Sequence, residues 1–526
     1  MSVGKRFIVV SFYVITRQKY KEARKKTNKT NFFGCTEPLL LLNVDLFLFF
    51  FVSLRANKSK KMQNNYPFIS MLRKYVSSSV LLAIATIAAL IIANSPWGDL
   101  YRQLWSLPVA MSLGDFNVFS HGGHTMSLGD FINDYLMAVF FLSVGLEIKR
   151  ELLCGELSSM KKALAPIIGA CGGMIVPVIL FFLICPKNPI MERGMTIPMA
   201  TDIAFSLGCL SIFSKRCPVS LKVFLAALAV ADDLGGIVVI AIRYTEHLNL
   251  WFLLASAIIV VILAAGNKLG VRTKAFYLNT GLLLWYCMLN SGIHATIAGV
   301  VLAFCIPANL PRGTKFYIER IRKSLNHFPS TTVTRADRNK PVVLADEEIA
   351  LLKSVESSSD HLISPLQDTE DVLKMPVNYQ IIPLFAFANA GVNFDGMNAM
   401  SLFSGVGLAV FLGLLIGKFC GVLSFSWLGI KLGIIRMPHN ANWKSFASIC
   451  MLCGIGFTVS MFMAALSYPP VHADLLNDAK LGILCGTIAS ALIGCLMLHR
   501  FLPSEEEMDR LRAIEAQKTA EQKAEE

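Results

Sequence analysis

The chain has 526 residues, of which 54% are hydrophobic and only 16% charged. Soluble domains carry about 25% charged residues, so this composition excludes a string of soluble domains and points to one polytopic membrane bundle. The net charge of +13 is not a nucleic-acid-binding face, because Lys and Arg concentrate in short loops between apolar stretches.

Residues 1–61 differ from the rest. They are rich in Lys and Arg around a run at 39–54, LLLLNVDLFLFFFVSL, which is short for a span and contains Asp45. No small-residue cleavage site follows it. Residues 1–70 are therefore expected to be an extension, upstream sequence read as protein with the start at Met62 or Met71, the alternative being a genuine extra span at 39–54. A membrane domain is expected over 71–502, and a charged tail over 503–526.

Twelve spans are predicted from Ser77 onward, near 78–94, 127–147, 163–185, 195–213, 219–242, 250–266, 275–290, 292–307, 378–394, 402–428, 446–466 and 480–499. Loops after spans two, four, six and ten carry Lys149, Arg150, Lys161 and Lys162; Lys215, Arg216 and Lys222; Lys268, Arg272 and Lys274; and Lys431, Arg436 and Lys444. The odd-numbered loops carry few. Positive loops stay inside, so both termini are expected in the cytoplasm.

After span one, the hexapeptide MSLGDF occurs at 111–116 and again at 126–131, and the alternation about Gly122 and Gly123 predicts an external β-hairpin near 105–126. Span two places Asp134 near its outer end, read as a helix cap. Glu147, Lys149, Arg150 and Glu151 crowd its inner end, as either a gate or an ordinary salt-bridged terminus.

In span four, Pro198 removes a helix hydrogen bond just before Thr201 and Asp202. Asp202 is either a cap at a kink or a charge that offsets exposed helix ends. Span five holds the most informative feature: Asp232 and Asp233 side by side near its midplane. A carboxylate there costs roughly 2.5 kcal/mol or more, and neighbours repel. A chain keeps such a pair when it needs a site that binds cations or protons and releases them. His294 stands at the start of span eight, where a histidine either reports physiological pH or is simply hydrogen-bonded.

The stretch 308–376 is too long for an ordinary connection, and serine-rich composition such as SVESSSD at 354–360 predicts disorder around a basic segment at 315–323. Span ten carries Lys418 mid-span, placed to offset negative helix ends or pair with an aspartate. Span eleven is interrupted by Gly454 and Gly456. Interruptions in spans four and eleven, at matching places in spans 3–5 and 10–12, point to an inverted-repeat transporter. The thirteen cysteines are scattered, and Cys450 and Cys453 read as small-residue packing. Asp233, Asp232, Thr201, Asp202 and the backbone carbonyls of a broken span are the candidate cation and proton ligands; these are oxygens, which suit Na⁺ and Li⁺ and not a soft metal. An intramembrane aspartyl protease fits poorly, because adjacent aspartates on one helix diverge by about 100°.

The runs INDYLMAVFFLSVGLEIKREL, ATDIAFSLG, ADDLGGIVVIAI, SGIHATIAGV, PLFAFANAGV, LLIGK and CGIGFTVSMF together resemble the NhaA family of bacterial Na⁺/H⁺ antiporters over about residues 71–500. The resemblance implies an all-α polytopic fold of about twelve transmembrane helices, with inverted repeats and two broken helices crossing at mid-membrane. It implies electrogenic exchange of Na⁺ or Li⁺ for H⁺ in the bacterial inner membrane, with no cofactor and no nucleic-acid partner. Asp233 would be the main Na⁺/Li⁺ ligand and proton carrier, and Asp232 a second ligand and the partner of Lys418. Thr201 and Asp202 would mark the crossing of the broken helices. Glu147, Arg150, His294 and Glu370 would carry the pH response, with Gln367 where the family's best-known member has a lysine. The hairpin resembles the family's dimerisation element, which implies a homodimer within membrane lipid.

Overall fold

A computed structural model describes residues 77–109, 112–113, 116–117, 120–121, 124–244, 248–309, 314–327, 345–394, 405–439, 441–504 and 506–507. The expected extension at 1–70 and most of the tail at 503–526 lie outside the described residues. The long elements are helices: α1 (Ser78–Ala93), α2 (Gly98–Ser106), α3 (Leu128–Cys154), α4 (Met160–Ile184), a 3-10 half-helix (Met191–Met199) and α5 (Ile203–Ile212). Next come α6 (Val219–Arg243), α7 (Leu250–Lys268), α8 (Lys274–Ser291), α9 (Ile297–Cys305), α10 (Thr314–Asn326) and α11 (Asp346–Leu362). α12 runs Pro365–Pro376 and continues through a π turn, Val377–Ile381, into Ile382–Asn389. α13 (Gly405–Lys431), α14 (Trp443–Leu452), α15 (Phe457–Ser467) and α16 (Ala473–Phe501) complete the bundle.

Among the described residues six helices, α3, α4, α6, α7, α13 and α16, are each long and apolar enough to cross a membrane. Three bent pairs raise the number to nine: α1 with α2 (112°), the 3-10 half-helix with α5 (40°), and α14 with α15 (43°). The chain is thus a multipass membrane protein. Its outer surface shows why: Ile84, Ile87 and Ile91 on α1, Leu254, Ile258 and Val261 on α7, and Ile488, Leu492 and Leu496 on α16 are all exposed. Their three- and four-residue spacing makes apolar stripes that lipid covers.

Helix α9 is shorter than expected. A span over 292–307 was predicted, but Gly292 adopts φ 89° after α8 and the chain turns through His294 before nine helical residues begin. The expected disorder within 308–376 is also corrected in part, because α10 and α11 pack on each other. Asp346, Glu347 and Glu348 sit in the first turn of α11, where acids favour the helix N-terminus. Serines that read as a disorder signal join the two helices instead: Ser354 meets Ser324 at 3.3 Å and Arg320 at 3.2 Å. Residues 328–344 lie outside the described residues.

The repeated hexapeptide takes two forms. The copy at 111–116 contributes to β1 (Ser112–Leu113) and β2 (Phe116–Asn117), an antiparallel pair. The copy at 126–131 starts α3, with Ser127 and Asp130 forming a capping box. The hairpin expected about Gly122 and Gly123 is flanked by β3 (Ser120–His121) and β4 (His124–Thr125), which pair antiparallel.

Helices α4 and α13 approach each other closely in the bundle interior. A Cβ on Gly172 would strike the carbonyl oxygen of Gly421, and a Cβ on Gly421 would strike that of Gly172. This contact holds the helix bearing Lys418 against its neighbours. Gly421→Leu is expected to cost about 1–3 kcal/mol by overpacking. The check is the temperature at which the monodisperse peak is lost in detergent, which should fall by several degrees.

Candidate functional site

Two of the bent pairs are interrupted by short breaks that meet each other. Ala200, Thr201 and Asp202 separate the 3-10 half-helix from α5, with Asp202 at φ −88° and ψ 102°. Cys453, Gly454, Ile455 and Gly456 separate α14 from α15. The backbone N–H of Asp202 donates to the carbonyl of Ile455 at 2.7 Å, so the breaks touch. A Cβ at Gly456 would lie 2.8 Å from Leu414 and 3.0 Å from the Ala200 carbonyl, so glycine is required there.

Breaking a helix exposes carbonyls at one end and N–H groups at the other, and neither tolerates burial without partners. Each break supplies the other. Thr201 Oγ1 donates to the Cys453 carbonyl at 3.0 Å and Ser206 Oγ to the Leu452 carbonyl at 3.1 Å. Ser460 Oγ donates to the Ile197 carbonyl at 2.8 Å.

Asp202 serves both positive ends. Its Oδ1 accepts from Phe205 N at 2.9 Å, and its Oδ2 accepts from Thr458 N at 3.1 Å and Thr458 Oγ1 at 2.6 Å. The cap and the offsetting charge, alternatives in the sequence, are the same carboxylate. Sequence reasoning missed Thr458. The available signal was its place two residues past Gly456, where a helix N–H needs a partner.

Helix α6 brings Asp232 and Asp233 to this crossing. They are 2% and 7% exposed, and Lys418 is fully buried. Lys418 follows a π turn, Gly413–Gly417, inside α13, a distortion frequent at functional sites. Its Nζ donates to Thr201 Oγ1 at 3.0 Å and forms an ion pair with Asp232 Oδ2. Asp232 Oδ1 is buried without a hydrogen-bond partner among the described residues. Asp233 makes no hydrogen bond among them.

The three aspartates are therefore not equivalent. Asp202 is held by two helix N-termini and Asp232 by Lys418, while Asp233 has no direct partner. A buried carboxylate in that position is relieved only by a proton or a cation. No group of three or more His, Cys, Asp or Glu side chains suited to a metal occurs among the described residues. A cation here would take its other oxygens from hydroxyls and carbonyls, as hard cations do.

A second charged group lies at the end of α3. Glu370, 3% exposed, accepts from Arg150 Nη1 at 2.7 Å and from Lys374 Nζ at 3.1 Å. Glu147, one turn before Arg150, is half-buried and makes no hydrogen bond among the described residues. Lys149 does not join this group: its Nζ donates to the carbonyl of Phe304 at 2.7 Å, capping the negative end of α9. Gln367 meets Ser364 Oγ at the N-cap of α12.

His294 lies elsewhere. Its Nδ1 is 2.8 Å from Thr296 Oγ1, its Nε2 is 3.8 Å from Asp134 Oδ1, and its ring packs edge-to-face on Phe462 of α15. Asp134 is not the helix cap it was read as. Ser127 caps α3, and Asp134 sits within a π turn, Ile132–Leu136, facing His294.

Comparison with known proteins adds to this geometry. The family model for Na⁺/H⁺ antiporter 1 matches residues 70–498. A Na⁺/H⁺ antiporter NhaA from Bacteroides fragilis is 50% identical over 428 residues, covering 81% of this chain and 96% of that protein. One from Phocaeicola vulgatus is 49% identical over 450 residues, covering 85% and 99%. One from Helicobacter pylori is 43% identical over 419 residues, covering 80% and 92%.

Proposed function

The chain belongs to the Na⁺/H⁺ antiporter 1 family, and from that premise we propose that it exchanges sodium for protons at one site built on Asp233 and Asp232. The observation that carries this reading is the unequal pairing of the two aspartates: Asp232 is held by Lys418 and Asp233 is left without a partner.

The site works by exclusion. A proton neutralises Asp233, and so does Na⁺ or Li⁺, but the two cannot share the same lone pairs. Binding of a cation draws Asp232 toward it and away from Lys418. Thr201 and the Cys453 carbonyl, already linked to Lys418, register that change at the crossing of the two breaks. The half-helices on either side then re-aim the site, and access alternates between the two faces of the membrane. The architecture behind this is about twelve spans in inverted repeats, with the breaks near the membrane midplane.

Two carboxylates per cation allow two protons per Na⁺, which makes exchange electrogenic. Each net charge moved inward then gains about 2.3 kcal/mol per 100 mV, enough to expel Na⁺ when the pH difference is small. The protein acts in this reading as a transporter of the bacterial inner membrane, without a cofactor, with both termini in the cytoplasm. It forms a homodimer through the hairpin before α3, and it regulates cytoplasmic pH and sodium.

The direct test is acidification recovery in everted vesicles from an antiporter-deficient strain, on adding NaCl, LiCl or KCl. The expected result is a response to Na⁺ and Li⁺ and none to K⁺. A silent but well-expressed protein at neutral and alkaline pH would contradict the reading.

The Arg150–Glu370–Lys374 group is proposed to set the pH response, with Glu147 as the titrating acid and His294 as a second sensor. Burial pulls the Lys374 ammonium down, but its hydrogen bond to Glu370 and the charges of Glu370 and Asp371 outweigh this and raise its pKa. Lys374 thus stays protonated in any exchange assay. Glu370→Gln would leave Arg150 and Lys374 uncompensated beside Glu147, and surplus positive charge favours an ionised carboxylate. The pH profile of exchange is expected to move toward acid by on the order of one unit, with the maximal rate nearly kept. An unmoved profile would remove Glu370 from the pH response.

A further inference from the structure

The exchange site lies between two ends of the bundle, and one end is fastened by side chains that ion binding does not use. Lys274, at the start of α8, pairs with Asp368, so this end of α8 lies with Glu370 and Arg150. At the other end of α8, Asn249 N donates to the Ser291 carbonyl at 2.9 Å. Asn249 follows Tyr244, the C-cap of α6, by five residues. Tyr244 therefore belongs to the end of the bundle opposite Arg150. Along α6 it lies eleven residues beyond Asp233, about 16 Å at the helical rise.

A chain of hydroxyls meets at Tyr244. Thr196 and Ser467 are both buried. Ser467 Oγ donates its one proton to the Met463 carbonyl at 2.7 Å, so it accepts from Tyr244 Oη, also 2.7 Å away. Tyr244 Oη in turn accepts from Thr196 Oγ1, and the Arg193 carbonyl lies 3.3 Å from it. The chain ties together three elements: the 3-10 half-helix, the end of α6 and the end of α15. Tyr468, fully buried, adds a tie between two of them. Its Oη donates to the Met191 carbonyl at 2.7 Å, and a Cβ on Gly194 would come within 2.2 Å of that oxygen. The half-helix needs such fastening. It runs nine residues in 3-10 geometry, whose hydrogen bonds are poorer than those of an α-helix, and such stretches often mark hinges.

The half-helix and α15 form one unit. Ser460 Oγ holds the Ile197 carbonyl, Asp202 holds Thr458, and Tyr468 holds Met191. Helix α6, which carries Asp232 and Asp233, meets that unit at Tyr244. Resting on the antiport reading, we propose that Tyr244 is a latch. It shuts the exchange site toward the face opposite Arg150, and its hydroxyl releases Thr196 and Ser467 when access passes to that face. One hydroxyl hydrogen bond biases a two-state balance by about two- to tenfold. That holds the closed state in excess and still lets go within a transport cycle. Tyr244 touches no ion and is a positioning residue.

The test is uptake of radiolabelled Na⁺, at equal pH on both sides, into vesicles of the two orientations. It compares the parent, Tyr244→Phe, Ser467→Ala and the double variant. Phenylalanine keeps the ring and removes only the hydroxyl. Right-side-out vesicles present the Tyr244 face in the proposed orientation. Apparent affinity scales with the fraction of protein open to the face being assayed. For Tyr244→Phe the expected result is an apparent KM for Na⁺ lowered about three- to tenfold at the Tyr244 face and raised less than about twofold at the Arg150 face. Ser467→Ala should move KM the same way and no further. The double variant should match Tyr244→Phe, because both substitutions cut one chain of bonds. Hydrogen–deuterium exchange should quicken at 191–199 and stay unchanged across α5. A KM that is unaltered, that changes equally at both faces, or that falls at the Arg150 face overturns the latch, as do additive effects in the double variant. If the parent moves no Na⁺, the antiport reading fails, and amide exchange decides alone. Quickening confined to 191–199 then keeps the latch, and its absence removes it.

Discussion

Replacing Asp233 by Asn is expected to abolish Na⁺-driven and Li⁺-driven proton movement while leaving the protein inserted and monodisperse. The side chain keeps its shape and loses its charge. Asp233 is 7% exposed and makes no hydrogen bond among the described residues, so little structure depends on its ionised form. Removing a buried, unpaired carboxylate relieves a strain, and the variant should be as stable as the parent or slightly more so. Loss of transport by more than about 100-fold with an unchanged or raised melting temperature is the signature of a site residue rather than a structural one. A variant that unfolds, or that still exchanges, would assign Asp233 a different role.

Lys418→Ala carries the second large effect, and it is expected to fall on stability first. The lysine is fully buried, with its ammonium on Asp232 and Thr201. Truncating it leaves Asp232 buried beside Asp233 without a counter-charge, and breaking a buried pair from one side costs about 3–5 kcal/mol. The protein can recover part of this by holding a proton on Asp232. The melting temperature should therefore drop most at alkaline pH, where keeping that proton is hardest, and less as pH falls. Asp232→Asn in the same chain removes the orphaned charge and should restore most of the loss. Melting curves of the two single variants and the double variant across pH form the cycle that checks this. Additive losses would mean the two side chains act independently, against the ion pair.

Much of this was legible in the chain, for a physical reason. Lipid makes apolar length and charge placement explicit, so Asp232, Asp233 and Lys418 stood out as charges within membrane-length runs. The breaks were legible too, because Pro198, Gly454 and Gly456 interrupt helices by known means. What was not legible depends on partners far away in sequence. Thr458 shares the Asp202 carboxylate across 256 positions. Position alone makes Asp134 look like a cap, because nothing local in the sequence shows that His294 packs beside it. The two copies of MSLGDF show the limit plainly, since one supplies strand residues at 112–113 and 116 and the other starts α3. The insertion failed for the opposite reason. Its serines look like a disordered tract, but on α10 and α11 they meet each other across two helices.

The central claim is that one carboxylate site holds either sodium or protons. Calorimetric titration of the purified protein with NaCl, over a series of pH values and in two buffers of different ionisation enthalpy, tests it most directly. Competition predicts that the apparent Na⁺ dissociation constant rises about tenfold per unit of pH lost for each proton that Na⁺ displaces, up to about a hundredfold where both leave, with protons released as Na⁺ binds, and that Asp233→Asn loses the Na⁺ binding. Sodium binding of constant affinity with no proton release, or binding that survives in Asp233→Asn, would contradict a shared site.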